Sequence, residues 1–180
     1  YHALKKLKEK GGICGVHCEN SGVIDALIEE KKAAGEMGVS SHPRTRPDFL
    51  EAEAVSRLLR IAEAVDIPVV IVHLTNREAL LEVDHARKRG QTVYVETCPQ
   101  YLEFTCDVYK REDGRNFVCS PPMKDQESQD ALWTALKAGF IDTVATDHCP
   151  FQSYEKDWGK DDFTKIPNGC AGVENLYPYM

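Results

Sequence analysis

The sequence predicts an α/β fold, half of a parallel barrel of the (β/α)8 kind, and two observations carry that expectation. Three short apolar runs each end in a side chain able to bind metal. Ile13-Cys14-Gly15-Val16 leads into His17, Val69-Val70-Ile71-Val72 into His73, and Ile141 to Thr146 into Asp147. Between these runs, apolar residues recur at helical spacing. A β-branched run that ends in a polar ligand is the pattern of a parallel strand whose carboxyl end opens into a site. Alternation of strands and helices gives a parallel sheet with right-handed crossovers.

Each element follows in order. Tyr1 to Lys8 carries charge with no apolar core behind it, so it reads as the tail of a surface helix stopped at Gly11-Gly12 and not as a secretion signal. After the first strand, Val23, Ile24, Leu27 and Ile28 predict a helix from Ser21 to about Glu36, with Gly38 as its stop. Ser40 to Arg46 is expected as a loop. Pro47 then opens a second helix, on which Leu50, Ala54, Leu58, Ile61 and Val65 share one face. Its charges, Glu51, Glu53, Arg57 and Arg60, are expected on the solvated side.

Val69 to Val72 forms the next strand. Asn76 caps a helix through Ala79, Leu80, Val83 and Ala86 that Gly90 ends. Thr92 to Glu96 is a strand, Cys98 to Met123 is irregular, and Ala131, Leu132, Ala135 and Leu136 mark a short helix up to Gly139. Ile141 to Thr146 is the last strand. The charged and aromatic tail from Gln152 to Pro167 lacks helical periodicity and predicts a long loop over the mouth of the sheet. Four strands make half a barrel, and 180 residues fall short of the roughly 250 of a complete one.

Charge and hydropathy narrow the function. With 22 Lys plus Arg against 29 Asp plus Glu, the net charge is −7 and the basic residues are scattered, which speaks against a nucleic-acid partner. The longest apolar run, Ile67 to Leu74, is broken by Pro68 and His73 and is too short to cross a bilayer. Seven cysteines, with Cys14, Cys119 and Cys149 in or beside expected buried strands, fit reduced thiols in a reducing, cytoplasmic setting. Cys14-x-x-x-Cys18 lacks the second pair that a closed four-ligand zinc knuckle needs.

Neutral imidazole and carboxylate are natural ligands for zinc and similar ions, and ligands at successive strand ends point into one space. Either histidine alone reads best as a structural, hydrogen-bonded residue. The set of His17, His73 and Asp147, closing three separate strands, reads as a metal site. A carboxylate there can be both ligand and proton acceptor, as metal-assisted hydrolysis requires.

Val16-His17-Cys18-Glu19-Asn20, Val72-His73-Leu74-Thr75, Glu96 to Leu102, Cys119-Ser120-Pro121-Pro122, Ala145 to Pro150 and Ile166-Pro167-Asn168-Gly169 together resemble the hydantoinase and dihydropyrimidinase family of cyclic amidohydrolases. The resemblance implies the carboxyl-proximal half of a distorted (β/α)8 barrel, approximately strands five to eight and the following active-site loop, across residues 1–180. It implies two divalent metal ions, usually zinc. His17 and His73 match the two histidines of one metal, and Asp147 matches the aspartate that binds the other and moves the proton. Ser120 and Asn168 match positions whose backbone groups hold the cyclic amide ring; read without the family, both are at home in turns.

The family's His-x-His pair, carboxylated bridging lysine and oxyanion-assisting tyrosine have no counterpart here, so the segment is expected to be cut from a longer chain whose amino-terminal half carries them. Glu174-Asn175-Leu176 departs from many hydantoinases, which have arginine in the last place. The resemblance implies hydrolysis of a dihydropyrimidine or hydantoin ring to an N-carbamoyl amino acid, a small cyclic ureide or imide as substrate, and a homotetramer or dimer. The alternatives are an allantoinase or dihydroorotase activity, or a metal-free scaffold relative. Alone, a half-barrel with two open edges is expected to be inactive and either self-associating or poorly folded.

Overall fold

Four parallel strands lie side by side in chain order in the computed structural model, which describes residues 1–180. They are β1 (Cys14–Val16), β2 (Val69–Ile71), β3 (Val93–Thr97) and β4 (Thr143–Val144). Val69 pairs with Cys14 on one side and with Val93 on the other, and Glu96 pairs with Thr143. The helix α1 (His2–Glu9) precedes β1; α2 (Ser21–Ala33), α3 (Ser41–Arg44), α4 (Asp48–Val65), α5 (Arg77–Lys88), α6 (Pro99–Glu103) and α7 (Gln126–Lys137) lie in the connections between strands; α8 (Ser153–Lys156) and α9 (Val173–Tyr179) follow β4. The order and the parallel register are those expected of a run of β/α units.

The core forms where the central strands meet α4 and α5. Val69, Ile71, Val93 and Val95 of β2 and β3 are buried together with Val55, Leu59 and Ala62 of α4 and Ala79, Val83 and Ala86 of α5. Small residues on α5 let the helices approach closely, and β-branched residues suit the pleated surface. Asn20 and Asn76 start α2 and α5 in the same way, each side chain accepting the amide of the third residue onward, Val23 and Ala79.

At the amino-terminal ends of the strands, one arginine fastens two of them. Arg87 donates to the Val93 and Phe140 carbonyls and to the Asp142 carboxylate, which also accepts the Val95 amide. Its guanidinium lies 4.4 Å from the Phe140 ring centroid. At this end of a β/α array, such contacts serve stability.

Five sequence expectations need correction, the first being that Cys98 to Met123 is not irregular throughout: it holds α6 and two 3₁₀ turns, Cys106–Lys110 and Gly114–Phe117. The buried face of α4 is wider than predicted: Leu50, Ala54 and Val65 are buried as expected and Ala52, Val55, Leu59 and Ala62 join them, while Leu58 and Ile61 are only half-buried and Glu51 is buried instead of solvated. Ser40 to Arg46 contains the short helix α3. The last strand pairs only over Thr143–Val144, although the Asp142 and Ala145 amides extend the hydrogen bonding to β3 at both ends; it is an edge strand with a single neighbour. The tail from Gln152 holds α8 and two 3₁₀ turns and is packed down, with Lys156, Phe163 and Ile166 buried and the Phe163 amide bonded to the Met37 carbonyl.

All seven cysteines are free; Cys119 is buried and the half-buried Cys14 packs against the core as expected, whereas Cys149 is exposed. No helix is long and apolar enough to cross a membrane.

Candidate metal and ring-binding site

The carboxyl ends of the strands gather the residues singled out by sequence. His17 follows β1 and His73 follows β2 by one residue more, and because the strands are neighbours in register their rings meet. His17 Nδ1 and His73 Nε2 stand 3.1 Å apart, with the rings edge to face. Two nitrogens bound to one tetrahedral zinc at 2.0–2.1 Å would be separated by roughly 3.3 Å. The observed 3.1 Å is the length of a direct hydrogen bond between the rings and lies close to the spacing a shared ion would need.

The other nitrogen of His17 supports the same arrangement. Nε2 lies 3.0 Å from Glu19 Oε2, and that oxygen is also held by Arg46. A carboxylate on the remote nitrogen keeps the proton there and leaves Nδ1 free as a donor to metal, as in the carboxylate–histidine pairs of many metal centres. Burial pushes the Glu19 carboxyl up, but the His17 hydrogen bond and the Arg46 guanidinium outweigh it and hold the group below its ordinary value. Lys124 extends the network by donating to the Arg46 carbonyl.

His73 is buried, and its Nδ1 has no hydrogen-bond partner. Burial and the neighbouring His17 lower its pKa, with the Asp147 charge pulling the other way. The imidazole is thus biased toward its neutral, metal-binding form. The loop behind it is fixed by Glu51, whose carboxylate accepts the Thr75 amide, the Thr75 hydroxyl and the Asn76 side-chain amide. Burial raises the Glu51 carboxyl to about 7.

Asp147 follows β4 and is exposed. Like His73, it has a left-handed backbone: φ is 40° at His73 and 46° at Asp147. Non-glycine residues there cost on the order of 1–3 kcal/mol and cluster at functional sites. Asp147 does not join the histidines in a cluster of three ligands around one point. It stands as a separate carboxylate, close enough for its charge to act on His73 and Glu96. The neighbouring His148 is structural: its Nδ1 accepts the Gly172 and Val173 amides at the start of α9.

Ser120 and Asn168, 48 residues apart, are brought together. The Ser120 hydroxyl donates to Asn168 Oδ1 at 2.7 Å, and Asn168 Nδ2 donates to the Ile166 carbonyl. Gly169 is required by close approach, since a Cβ there would lie 2.4 Å from the Cys149 carbonyl oxygen. Sequence reasoning missed Glu19, Arg46 and Glu51 as supports of the site. Only Glu19 left a readable signal, two residues from His17 and so on the same side of an extended segment.

No family model matches the sequence. The chain is 42% identical over 176 residues to a D-hydantoinase of Streptomyces coelicolor, a match covering 96% of this chain and 38% of that protein. Among solved structures, a dihydropyrimidinase from Brevibacillus agri superposes with a TM-score of 0.94 at 40% identity, over 96% of this chain and 38% of the other. A D-hydantoinase (dihydropyrimidinase) from Thermus sp. gives 0.96 at 36% identity, over 99% and 40%. The chain therefore spans about two fifths of the length of the proteins it matches.

Proposed function

This chain belongs to the hydantoinase and dihydropyrimidinase family of cyclic amidohydrolases, and on that premise we propose that the complete protein hydrolyses the ring amide of a hydantoin or dihydropyrimidine to an N-carbamoyl amino acid. The carrying observation is the meeting of His17 Nδ1 and His73 Nε2 at 3.1 Å on adjacent strand ends, with Glu19 on the remote nitrogen of His17.

In this reading His17 and His73 hold one of two divalent ions, with zinc as the expected metal. The remaining ligands, a His-x-His pair and a carboxylated lysine, are supplied by parts of the protein outside these residues. Bound divalent ions supply Lewis-acid polarisation of the ring carbonyl and activation of water. Asp147, the second ion's ligand, accepts the proton released by water and delivers it to the leaving ring nitrogen. Ser120 and Asn168 orient the ring in this reading: a cyclic ureide alternates N–H donors with carbonyl acceptors, and the backbone groups of these two residues would be the partners.

The odd number of cysteines, seven, supports a reducing, cytoplasmic location. A homotetramer or dimer is the expected assembly. The isolated segment is expected to be inactive, because two histidines and one aspartate do not complete a two-metal site.

The test is metal content together with hydrolysis of dihydrouracil, hydantoin, allantoin and dihydroorotate by the complete protein. Two metals per chain with turnover of either of the first two rings supports the reading. Turnover restricted to allantoin or dihydroorotate would reassign the substrate, and a metal-free, inactive protein would make it a scaffold.

A further inference from the structure

Lys156 is an unusual resident of the core. It closes α8, its residue is 2% exposed, and no carboxylate faces its ammonium. Instead Nζ donates to three backbone carbonyls: Val118 at 2.8 Å, Pro167 at 2.6 Å and Gly169 at 2.8 Å. The three protons of an ammonium are thereby fully used. The Phe151 ring centroid lies 5.3 Å away on another side.

The carbonyls it gathers are not arbitrary. Val118 is two residues before Ser120, and Pro167 and Gly169 flank Asn168. The only other backbone tie between these segments is the Gly169 amide donating to the same Val118 carbonyl. A buried charge costs stability unless it is satisfied, and this one is satisfied wholly by the two strands of chain that carry the proposed ring-binding residues. The planar guanidinium of an arginine could not reach three carbonyls converging on one point.

We propose that Lys156 is a positioning residue for substrate: it sets the separation of the Ser120 and Asn168 segments, and so the fit of the cyclic amide between them. This inference rests on the ring-opening function proposed above. Lys156 touches no reacting atom. Losing it lets the two segments drift apart, weakening capture of the ring while the ions and Asp147 stay in place.

The experiment uses the complete protein with bound metal, comparing wild type, Lys156→Met and Lys156→Gln on dihydrouracil and hydantoin, with metal content measured for each. Lys156→Met keeps the length of the stem and removes all three donors; Lys156→Gln keeps one amide donor group. The expected result is a KM raised about tenfold in Lys156→Met, less in Lys156→Gln, with kcat within about threefold and metal content intact. A role confined to folding would reduce the active fraction and so depress apparent kcat at unchanged KM. That result overturns the proposal, as does failure of both variants to fold or an unchanged KM in both. Wild type inactive on both rings would remove the functional reading itself, and the inference with it.

Discussion

His17 Nδ1 and His73 Nε2 face each other across 3.1 Å although 56 residues separate them in sequence. The relationship follows from β1 and β2 being parallel neighbours with Val16 opposite Ile71, so that residues just past each strand project to the same side. Nothing in the local sequence of either histidine specifies the other. Register does.

Glu19 should control how well His17 binds. Replacing it with Gln removes the charge that keeps the proton on the remote nitrogen and leaves Arg46 without its partner. Metal affinity of the complete protein should fall by about 10–100-fold, read by competition with a coloured chelator. An unaltered affinity would mean that the carboxylate serves only Arg46.

Asp147→Asn should separate chemistry from folding. Asparagine tolerates the left-handed backbone that Asp147 adopts, so the melting temperature should hardly move. Turnover should fall by about 10²–10⁴-fold. Near-normal kcat in the variant would exclude Asp147 as the proton carrier.

His42 should make the fold acid-sensitive. It is buried, donates to the Cys119 carbonyl at 2.8 Å, and is held down to about 4 by burial first, with Arg46 and Lys124 adding to the effect. The folded state keeps it neutral, while the unfolded chain takes up the proton near the ordinary value of 6.5. Stability from this group is therefore intact above pH 6.5, declines as pH falls, and levels off below about 4. The full loss is on the order of 3 kcal/mol. Urea unfolding at pH 7 and pH 4.5 should show a smaller drop for His42→Gln, which can still donate to the carbonyl; equal drops would assign acid sensitivity to other groups.

Arg87→Met should cost stability without touching turnover. The variant gives up charge-assisted bonds to Asp142 and to the Val93 and Phe140 carbonyls, a loss of about 2–3 kcal/mol. The urea midpoint should fall and kcat at 25 °C should hold. A changed kcat would show that strain at one end of the sheet reaches the other.

How far these features could be read from sequence depended on whether the signal was local. His17, His73 and Asp147 stand out in the sequence because each closes an apolar run that is itself recognisable, and the structure brings the two histidines together while Asp147 stands apart. Asn76 was legible as a cap because its partner, Ala79, is three residues away. Glu51 was misread because its helix offers charges at several neighbouring positions, and the groups that bury it, Thr75 and Asn76, lie 24 and 25 residues downstream. Lys156 was invisible for a similar reason: its partners are backbone carbonyls, which carry no residue identity. Ser120 and Asn168 could be named only through family resemblance, since as isolated residues both look like ordinary turn formers.

The position of Arg87 bears on how such a protein could change. It ties β3 and β4 at Val93 and Asp142, whereas Thr75, Ser120 and Asn168 sit at or beyond the opposite ends. A mutational library confined to the segments around Ser120 and Asn168 would leave that fastening untouched. Laboratory evolution toward a new ring could thus accept locally disruptive substitutions that a fold anchored only at its active face would not survive.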